Sequence, residues 1–372
     1  MKKINYVIWV AAVLCGVSLA GCGSGGHHDS QTNTTPATQS TDIPGVFSIS
    51  ASPRMSPAPV DNADAIQRLL EAFNLAVSAG ATGQMSTFTW HDIEPNVGQY
   101  NLKLVSDSID YAHQHNMTIF VGVQLINTVK REMPDDIASL DFNDERVIAR
   151  FNSLQDKIFP LLKGKVKYFS IGNEVDVYLR ANPLEWQKYK QFYSSVLAHA
   201  HQLDNQISVG VTATANGLLH ASTQELLDLN AASDVVIATY YPLAADFSMQ
   251  NPNQIDADFP ALLSVANEKP LIFQEMGYAA ATSLNSSEQA QAEFLHHVFS
   301  QWRASGGKVP FMNWFCLHDF SSDQLATLKY YYGLNNQNFF DYLATLGLRK
   351  ADGTPRAAWS ALLSEINVGK ID

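Results

Sequence analysis

From Pro44 onward, short apolar, β-branched or aromatic runs alternate with segments whose apolar residues recur at helical spacing. The runs Val46–Ser50, Gln84–Trp90, Thr118–Ile126, Tyr168–Glu174, Ser208–Thr214, Val235–Tyr241, Leu271–Met276 and Pro310–Cys316 predict strands. Between them, Ala63–Ala79 sets Ile66, Leu69, Leu70, Phe73 and Val77 on one predicted helix face, and Leu104–Gln114 sets Val105, Ile109 and Ala112. Pro183–Leu203 opens with a proline, which suits a helical first turn. Ser286–Ser305 opens with Ser-Ser-Glu-Gln, a helix-start signature, and continues with Phe294, Leu295, Val298 and Trp302. Leu348 to Ile366 predicts a last helix packing back on the sheet.

Eight strand starts between positions 46 and 310 are spaced by about 38 residues, the length of one βα unit. Eight such units predict a single-domain α/β fold, a closed (β/α)8 TIM barrel over residues 44–372. An open doubly wound sheet is the alternative. It would carry a Gly-rich phosphate turn after its first strand, and Ser50-Ala51-Ser52-Pro53 is not one. The insert from Asn127 to Asn152 is long enough to form one wall of a groove.

The segment before residue 44 follows different rules. Lys2 and Lys3 precede an apolar run from Ile4 to Leu19, which matches an export signal. Leu19-Ala20-Gly21-Cys22 then resembles a bacterial lipobox, implying cleavage after residue 21 and lipid on Cys22. A plain secretory signal or a single membrane anchor is the competing reading, but the run ends abruptly in Gly-Cys-Gly-Ser-Gly-Gly. Residues 22–43 are rich in Gly, Ser, Thr, Gln and Asn and read as a flexible tether. Gly21, Gly23 and Gly26 formally match a dinucleotide fingerprint, but no βαβ unit follows. These readings predict a lipid-anchored protein of the bacterial cell envelope, at the outer membrane or cell surface, and a monomer. Cys316 is then the one cysteine left to the barrel besides the lipidated Cys22.

Composition narrows the partners. The formal charge of −12 and the absence of a basic cluster argue against nucleic acid. With 19 Phe, 14 Tyr and 6 Trp, the chain can fill a core and still face the flat side of a ligand.

Chemistry in such a barrel sits at the C-terminal strand ends. The fourth strand candidate ends Ser170-Ile171-Gly172-Asn173-Glu174, and the seventh runs Ile272-Phe273-Gln274-Glu275-Met276-Gly277-Tyr278. Each sets a carboxylate in an apolar run, where an ionised group is costly without partners. A buried structural ion pair explains either glutamate alone; a catalytic pair across the barrel mouth explains both together.

With these residues the chain resembles the retaining glycoside hydrolases of clan A, (β/α)8 barrels that include galactanases, xylanases, mannanases and β-glucosidases. Gly172-Asn173-Glu174 and Glu275 carry the resemblance, with Trp90-His91-Asp92-Ile93-Glu94-Pro95 and Tyr240-Tyr241-Pro242 adding to it. The resemblance implies cleavage of β-glycosidic bonds with Glu174 as acid/base and Glu275 as nucleophile. It implies that Asn173 holds the sugar 2-hydroxyl, that Tyr240 hydrogen-bonds Glu275, and that Trp314 stacks under a sugar ring. It also implies an arginine near the nucleophile, which Arg54 could supply. Trp90, His91 and Gln124 end their strands and are candidates for lining the cleft, with core packing as the competing reading. Glu94 fits a loop carboxylate better than a third catalyst, and Asp176 and Asp319 lie near strand ends without a specific role.

The motifs of serine hydrolases, P-loop enzymes and zinc proteases are absent, and the 11 histidines are scattered. No metal and no cofactor is expected. The competing function is a non-catalytic glycan-binding surface lipoprotein built on the same barrel.

Overall fold

A computed structural model describes residues 43–367. The signal segment, Cys22 and the tether up to residue 42 lie outside the described residues. The barrel wall consists of β1 (Val46–Ile49), β2 (Gly83–Thr89), β3 (Thr118–Asn127), β4 (Val166–Asn173), β5 (Ser208–Gly210 and Thr212–Thr214, interrupted at Val211), β6 (Val236–Tyr240), β7 (Leu271–Met276) and β8 (Phe311–Trp314). All pair in parallel in chain order, and β1 pairs with β8. The first part of β5 pairs with β4 and its second part with β6, so the interrupted strand completes the ring. This is the predicted (β/α)8 barrel. A short strand, Lys130–Arg131, folds back on the end of β3 within the long insert.

The outer layer is formed by α1 (Asn62–Ser78), α2 (Leu102–Gln114), α3 (Glu145–Leu162), α4 (Trp186–Leu203), α5 (Thr223–Asn230), α6 (Ile255–Ala266), α7 (Glu288–Ala304) and α8 (Ala357–Asn367). Side-chain caps set several of their starts: Asp61 accepts from the Asp64 amide, Asp144 from that of Arg146, and Ser287 from that of Ala290. One predicted face is corrected. On α1 the buried residues are Arg68, Ala72, Phe73 and Ala76, whereas Ile66, Leu70 and Val77 are exposed. The reason lies in Arg68, whose guanidinium reaches the carbonyl of Pro57 at 2.6 Å and the Asp64 carboxylate at 2.8 Å. Tying the β1–α1 loop in this way rotates the helix until Arg68 is covered. The last helix also starts later than its apolar pattern suggested, because Arg349 bonds back to the Leu317 carbonyl and holds the preceding chain against the end of β8.

Two clusters of apolar side chains are separated by the barrel wall. Met85, Phe120, Tyr168, Val235, Ile237, Ile272 and Phe311 form a small inner plug near the strand starts, while the larger cluster fills the space between strands and helices. Side chains alternate in direction along a strand. Two residues beyond the plug, the inner face becomes polar, with Thr87, Ser170, Thr239, Gln274 and Asn313 all buried. Asn313 Nδ2 donates to Ser50 Oγ at 2.9 Å and to the Gln274 carbonyl at 3.0 Å. The floor of the barrel is therefore apolar and its mouth is hydrogen-bonding.

Glu94 is fully buried in the β2–α2 connection and accepts from Trp90 Nε1 at 3.0 Å, the Gly98 amide at 2.9 Å and Arg150 Nε at 2.7 Å. Removing this carboxylate leaves a guanidinium and an indole N–H without it. Glu94→Ala is expected to lower the unfolding free energy by about 3 kcal/mol, read from urea denaturation.

Candidate active site

The two glutamates reach the barrel interior through local departures from regular strand geometry. On β7, Ala238 of β6 pairs with Phe273 but the next residue, Thr239, pairs with Glu275. Gln274 is the extra residue of a bulge, a device that re-aims side chains. Strict alternation would send Glu275 outward, opposite to Ile272 and Gln274. With the bulge, both Gln274 and Glu275 engage groups at the mouth. On β4, Gly172 takes φ +89° and Glu174 φ +45°. A Cβ on Gly172 would meet Val175 Cγ1 at 2.5 Å and the Tyr189 hydroxyl at 2.6 Å, so no larger residue fits there. A left-handed glutamate costs about 1–3 kcal/mol, which its surroundings must offset. Across from it Thr128 is also left-handed, at φ +52°, and its amide bonds the Asn173 carbonyl at 3.0 Å.

Glu174 is 1% exposed and Glu275 2%. Glu174 accepts from Thr239 Oγ1 at 2.6 Å and from Thr128 Oγ1 at 3.1 Å. Glu275 accepts from the Tyr241 hydroxyl at 2.9 Å and from Gln274 Nε2 at 3.2 Å. Thr239 thus sits in register with Glu275 and bonds Glu174, linking the two carboxylates through one residue. Burial pushes Glu174 well above the usual carboxylate range, and the negative charge of Glu275 pushes it further; the two threonine hydroxyls pull partly the other way. This chain accordingly places a carboxyl group disposed to hold a proton beside a second carboxylate supplied with two donors.

Asn173 is fully buried and joins the same cluster, accepting from Gln274 Nε2 at 2.7 Å and donating to Asn127 Oδ1 at 3.1 Å. Gln124 lies on β3 opposite Thr89, 2% exposed, and its Oε1 has no hydrogen-bond partner in the protein. That leaves an acceptor at the upper end of β3.

Three predicted contacts are corrected, those of Tyr240, Trp314 and Arg54, and Trp90 takes its competing reading, core packing. Tyr240 does not bond Glu275; its hydroxyl donates to Asp258 on α6 at 2.8 Å, and its ring stacks on Phe294 of α7. Alternation explains this, since Ile237 points into the plug and Tyr240 therefore faces the helices; Tyr241 takes the expected place. Trp314 is 1% exposed with its ring centroid 6.1 Å from that of Phe294, so it also packs in the helix layer, opposite to the inward Asn313. Trp90 is buried edge-on against Phe151 of α3. Arg54 reaches outward to Glu71 on α1 at 3.5 Å. The neighbouring His91 is partly exposed, 4.0 Å from Asp135.

The remaining carboxylates are structural. Asp176 accepts from the amide and hydroxyl of Thr214 at 2.8 and 2.7 Å, tying the short helix Val175–Ala181 to β5. Asp319 pairs with Arg356 and accepts from the Gly347 amide at 2.8 Å. Among the described residues, no group of three or more His, Cys, Asp or Glu is placed to hold a metal. Sequence reasoning missed Tyr241, Gln274, Thr128, Thr239 and Asn127. A strand register counted from Ile237 would have found Thr239 and Tyr241; nothing in the sequence marks the left-handed Thr128.

No family model and no curated protein matches this sequence. Solved structures do. The GH5_18 protein from Bifidobacterium longum subsp. infantis superimposes with a TM-score of 0.66 at 16% identity, over 87% of this chain and 78% of that one. The exo-β-1,4-mannosidase of Opitutaceae bacterium strain TAV5 gives 0.68 at 14%, over 90% and 62%. Native xylanase 10B from Thermotoga maritima gives 0.62 at 12%, over 88% and 97%. The fold is a (β/α)8 barrel, shared with these solved structures.

The raised Glu174 has a measurable consequence. A buried acid whose folded pKa lies above its unfolded value adds stability below the unfolded pKa, and this is lost as pH rises through the folded one. Glu174→Gln, which needs no ionisation, is therefore expected to raise the melting temperature at pH 7. The gain should shrink as pH falls toward the ordinary carboxylate range, in calorimetry across pH 4 to 8.

Proposed function

We propose that this protein is a glycoside hydrolase that cleaves β-glycosidic bonds of oligo- or polysaccharides by double displacement with retention. The observation that carries the reading is the pair of buried carboxylates from the ends of β4 and β7 in unlike surroundings. The fold neighbours support it: those solved structures include a mannosidase, a xylanase and a β-glucosidase, and a GH5_18 protein from Streptomyces cattleya was solved with GlcNAc.

In this reading Glu174 enters the reaction protonated, as burial and the neighbouring charge favour, and gives its proton to the leaving glycosidic oxygen. Glu275, aimed by Tyr241 and Gln274, attacks the anomeric carbon and forms a glycosyl ester. Glu174, now a carboxylate bonded by two threonine hydroxyls, takes a proton from the water that cleaves the ester. Asn173 holds the sugar 2-hydroxyl, and the unpartnered Gln124 Oε1 accepts a hydroxyl of the bound glycan. We further propose that the protein is exported and lipid-anchored at Cys22, which places the barrel at the cell envelope on a tether of residues 22–43.

The two glutamates should fail differently. Glu275→Ala removes the nucleophile and abolishes turnover on every substrate. Glu174→Ala is expected to lose about 10²–10⁴-fold on substrates with poor leaving groups and far less on activated aryl glycosides. On the latter, azide restores turnover and gives a glycosyl azide of retained configuration; the azide product of Glu275→Ala is inverted. Proton NMR of the product anomers reads both. Inverted product from the wild type sinks the retaining assignment, and glycan binding without release of reducing ends transfers the case to a binding module.

For the anchor, Cys22→Ser should abolish incorporation of labelled palmitate in cells while the barrel still folds. Label in the Ser variant would refute it.

A further inference from the structure

A chain of hydrogen bonds leaves the carboxylate pair and ends on the rim of the barrel. Gln274 Nε2 donates both to Glu275 Oε1 and to Asn173 Oδ1. Asn173 Nδ2 donates to Asn127 Oδ1 at 3.1 Å, and Asn127 Nδ2 to the Tyr331 hydroxyl at 3.1 Å. The Tyr331 hydroxyl donates to Glu132 Oε1 at 2.6 Å. Tyr331 belongs to the helix Ser322–Tyr332, in the excursion after β8. Glu132 follows the short strand Lys130–Arg131, with its amide on the Leu125 carbonyl and its carbonyl on the His91 amide. Lys130 Nζ, 4.1 Å over the Tyr331 ring, holds the two segments together.

Every link has a direction. A carboxylate can only accept, so the single hydroxyl hydrogen of Tyr331 is committed to Glu132. Its oxygen must then accept, which turns the Asn127 amide nitrogen toward it and the Asn127 oxygen toward Asn173. Asn173 must turn its nitrogen to Asn127 and its oxygen to Gln274. At the other end Glu275 also only accepts, and it fixes Gln274 the same way round. Thr212 Oγ1 donates to Gln274 Oε1 at 2.6 Å and agrees with both ends. Three buried amides, each free in principle to flip, are therefore locked in one orientation by two carboxylates. One donor hydrogen of Asn173 Nδ2 is left over.

We propose that Glu132 and Tyr331 are positioning residues of the carboxylate site. Acting through Asn127, they keep the Asn173 amide facing so that it offers substrate an N–H. This rests on the proposed function, in which Asn173 meets the sugar 2-oxygen. Without Glu132 the Tyr331 hydroxyl is released to donate to an inverted Asn127, whose nitrogen would then oppose the nitrogen of Asn173.

The test compares kcat/KM for aryl β-glycosides with and without the 2-hydroxyl, in the wild type, Tyr331→Phe, Glu132→Ala, Glu132→Gln, Asn173→Ala and Glu275→Ala. In Tyr331→Phe and Glu132→Ala the preference for the 2-hydroxy substrate should fall about tenfold or more. Turnover of the 2-deoxy substrate should stay within about threefold of wild type. Glu132→Gln keeps an acceptor oxygen and should recover most of the lost preference. An equal fall on both substrates would reduce the pair to a structural role and overturn the proposal. So would an unchanged preference in Tyr331→Phe while Asn173→Ala loses it, which leaves the site reading intact. Undiminished activity in Glu275→Ala, or undiminished preference in Asn173→Ala, would instead overturn the site reading and this inference with it.

Discussion

Two carboxylates share one buried layer of this barrel, and the cost of charge there governs the arrangement around them. An isolated ionised carboxylate in an apolar interior is unfavourable by many kcal/mol, and two side by side are worse. The structure meets this by holding one group toward its neutral form and surrounding both with donors. The donors to them include three hydroxyls and one amide. A cation beside Glu174 would have kept it ionised, whereas hydroxyls leave its proton affinity raised.

That requirement reaches into the backbone. Donors on three different strand ends can converge only if the strands depart from regular geometry at the mouth. The Gln274 bulge, the left-handed Glu174 and the left-handed Thr128 are these departures, and they cluster within a few residues of one another. The opposite end carries one register shift, where Ile119 pairs with Val166 but Phe120 with Tyr168, and its plug stays wholly apolar. The left-handed Glu174 and Thr128 lie at the end where charge is handled, and the apolar floor provides the stability that tolerates them.

This division also sets what could be read from the sequence. The strands and their spacing were legible because each is a compact apolar run bounded by turn residues, and the glutamates were legible because a carboxylate interrupts such a run. The direction of individual side chains was not. Strands buried on both faces lose the alternation of apolar and polar positions that reveals register. Hence Tyr240, Trp314 and Trp90 could be placed at strand ends but not on a face, and all three turned to the helices. Arg54 was misplaced for another reason: the loop it sits on is tied down by Arg68, a tertiary contact that local pattern cannot show. The excursion after β8 contributes Tyr331 from far along the chain, and its sequence carries no sign that it returns to β3.

The choice of donors separates the two glutamates by chemistry as well as by position. A threonine hydroxyl rotates, and it can donate to a carboxylate or accept from a carboxylic acid. With Thr128 and Thr239 on its two oxygens, Glu174 can lose and regain a proton while the same heavy atoms stay in place. The Gln274 amide has no such freedom. Its oxygen is taken by Thr212 and its orientation is fixed through Asn173, so it can only present N–H to Glu275. A proton on Glu275 Oε1 would meet that N–H with its own hydrogen, so that oxygen is held as an acceptor, while Oε2 faces the Tyr241 hydroxyl. The site is thereby built with one carboxyl that meets rotatable hydroxyls on both oxygens and one that meets a fixed N–H on Oε1. That asymmetry suits the proposed division into acid/base and nucleophile, and hydroxyl and amide geometry contributes to it.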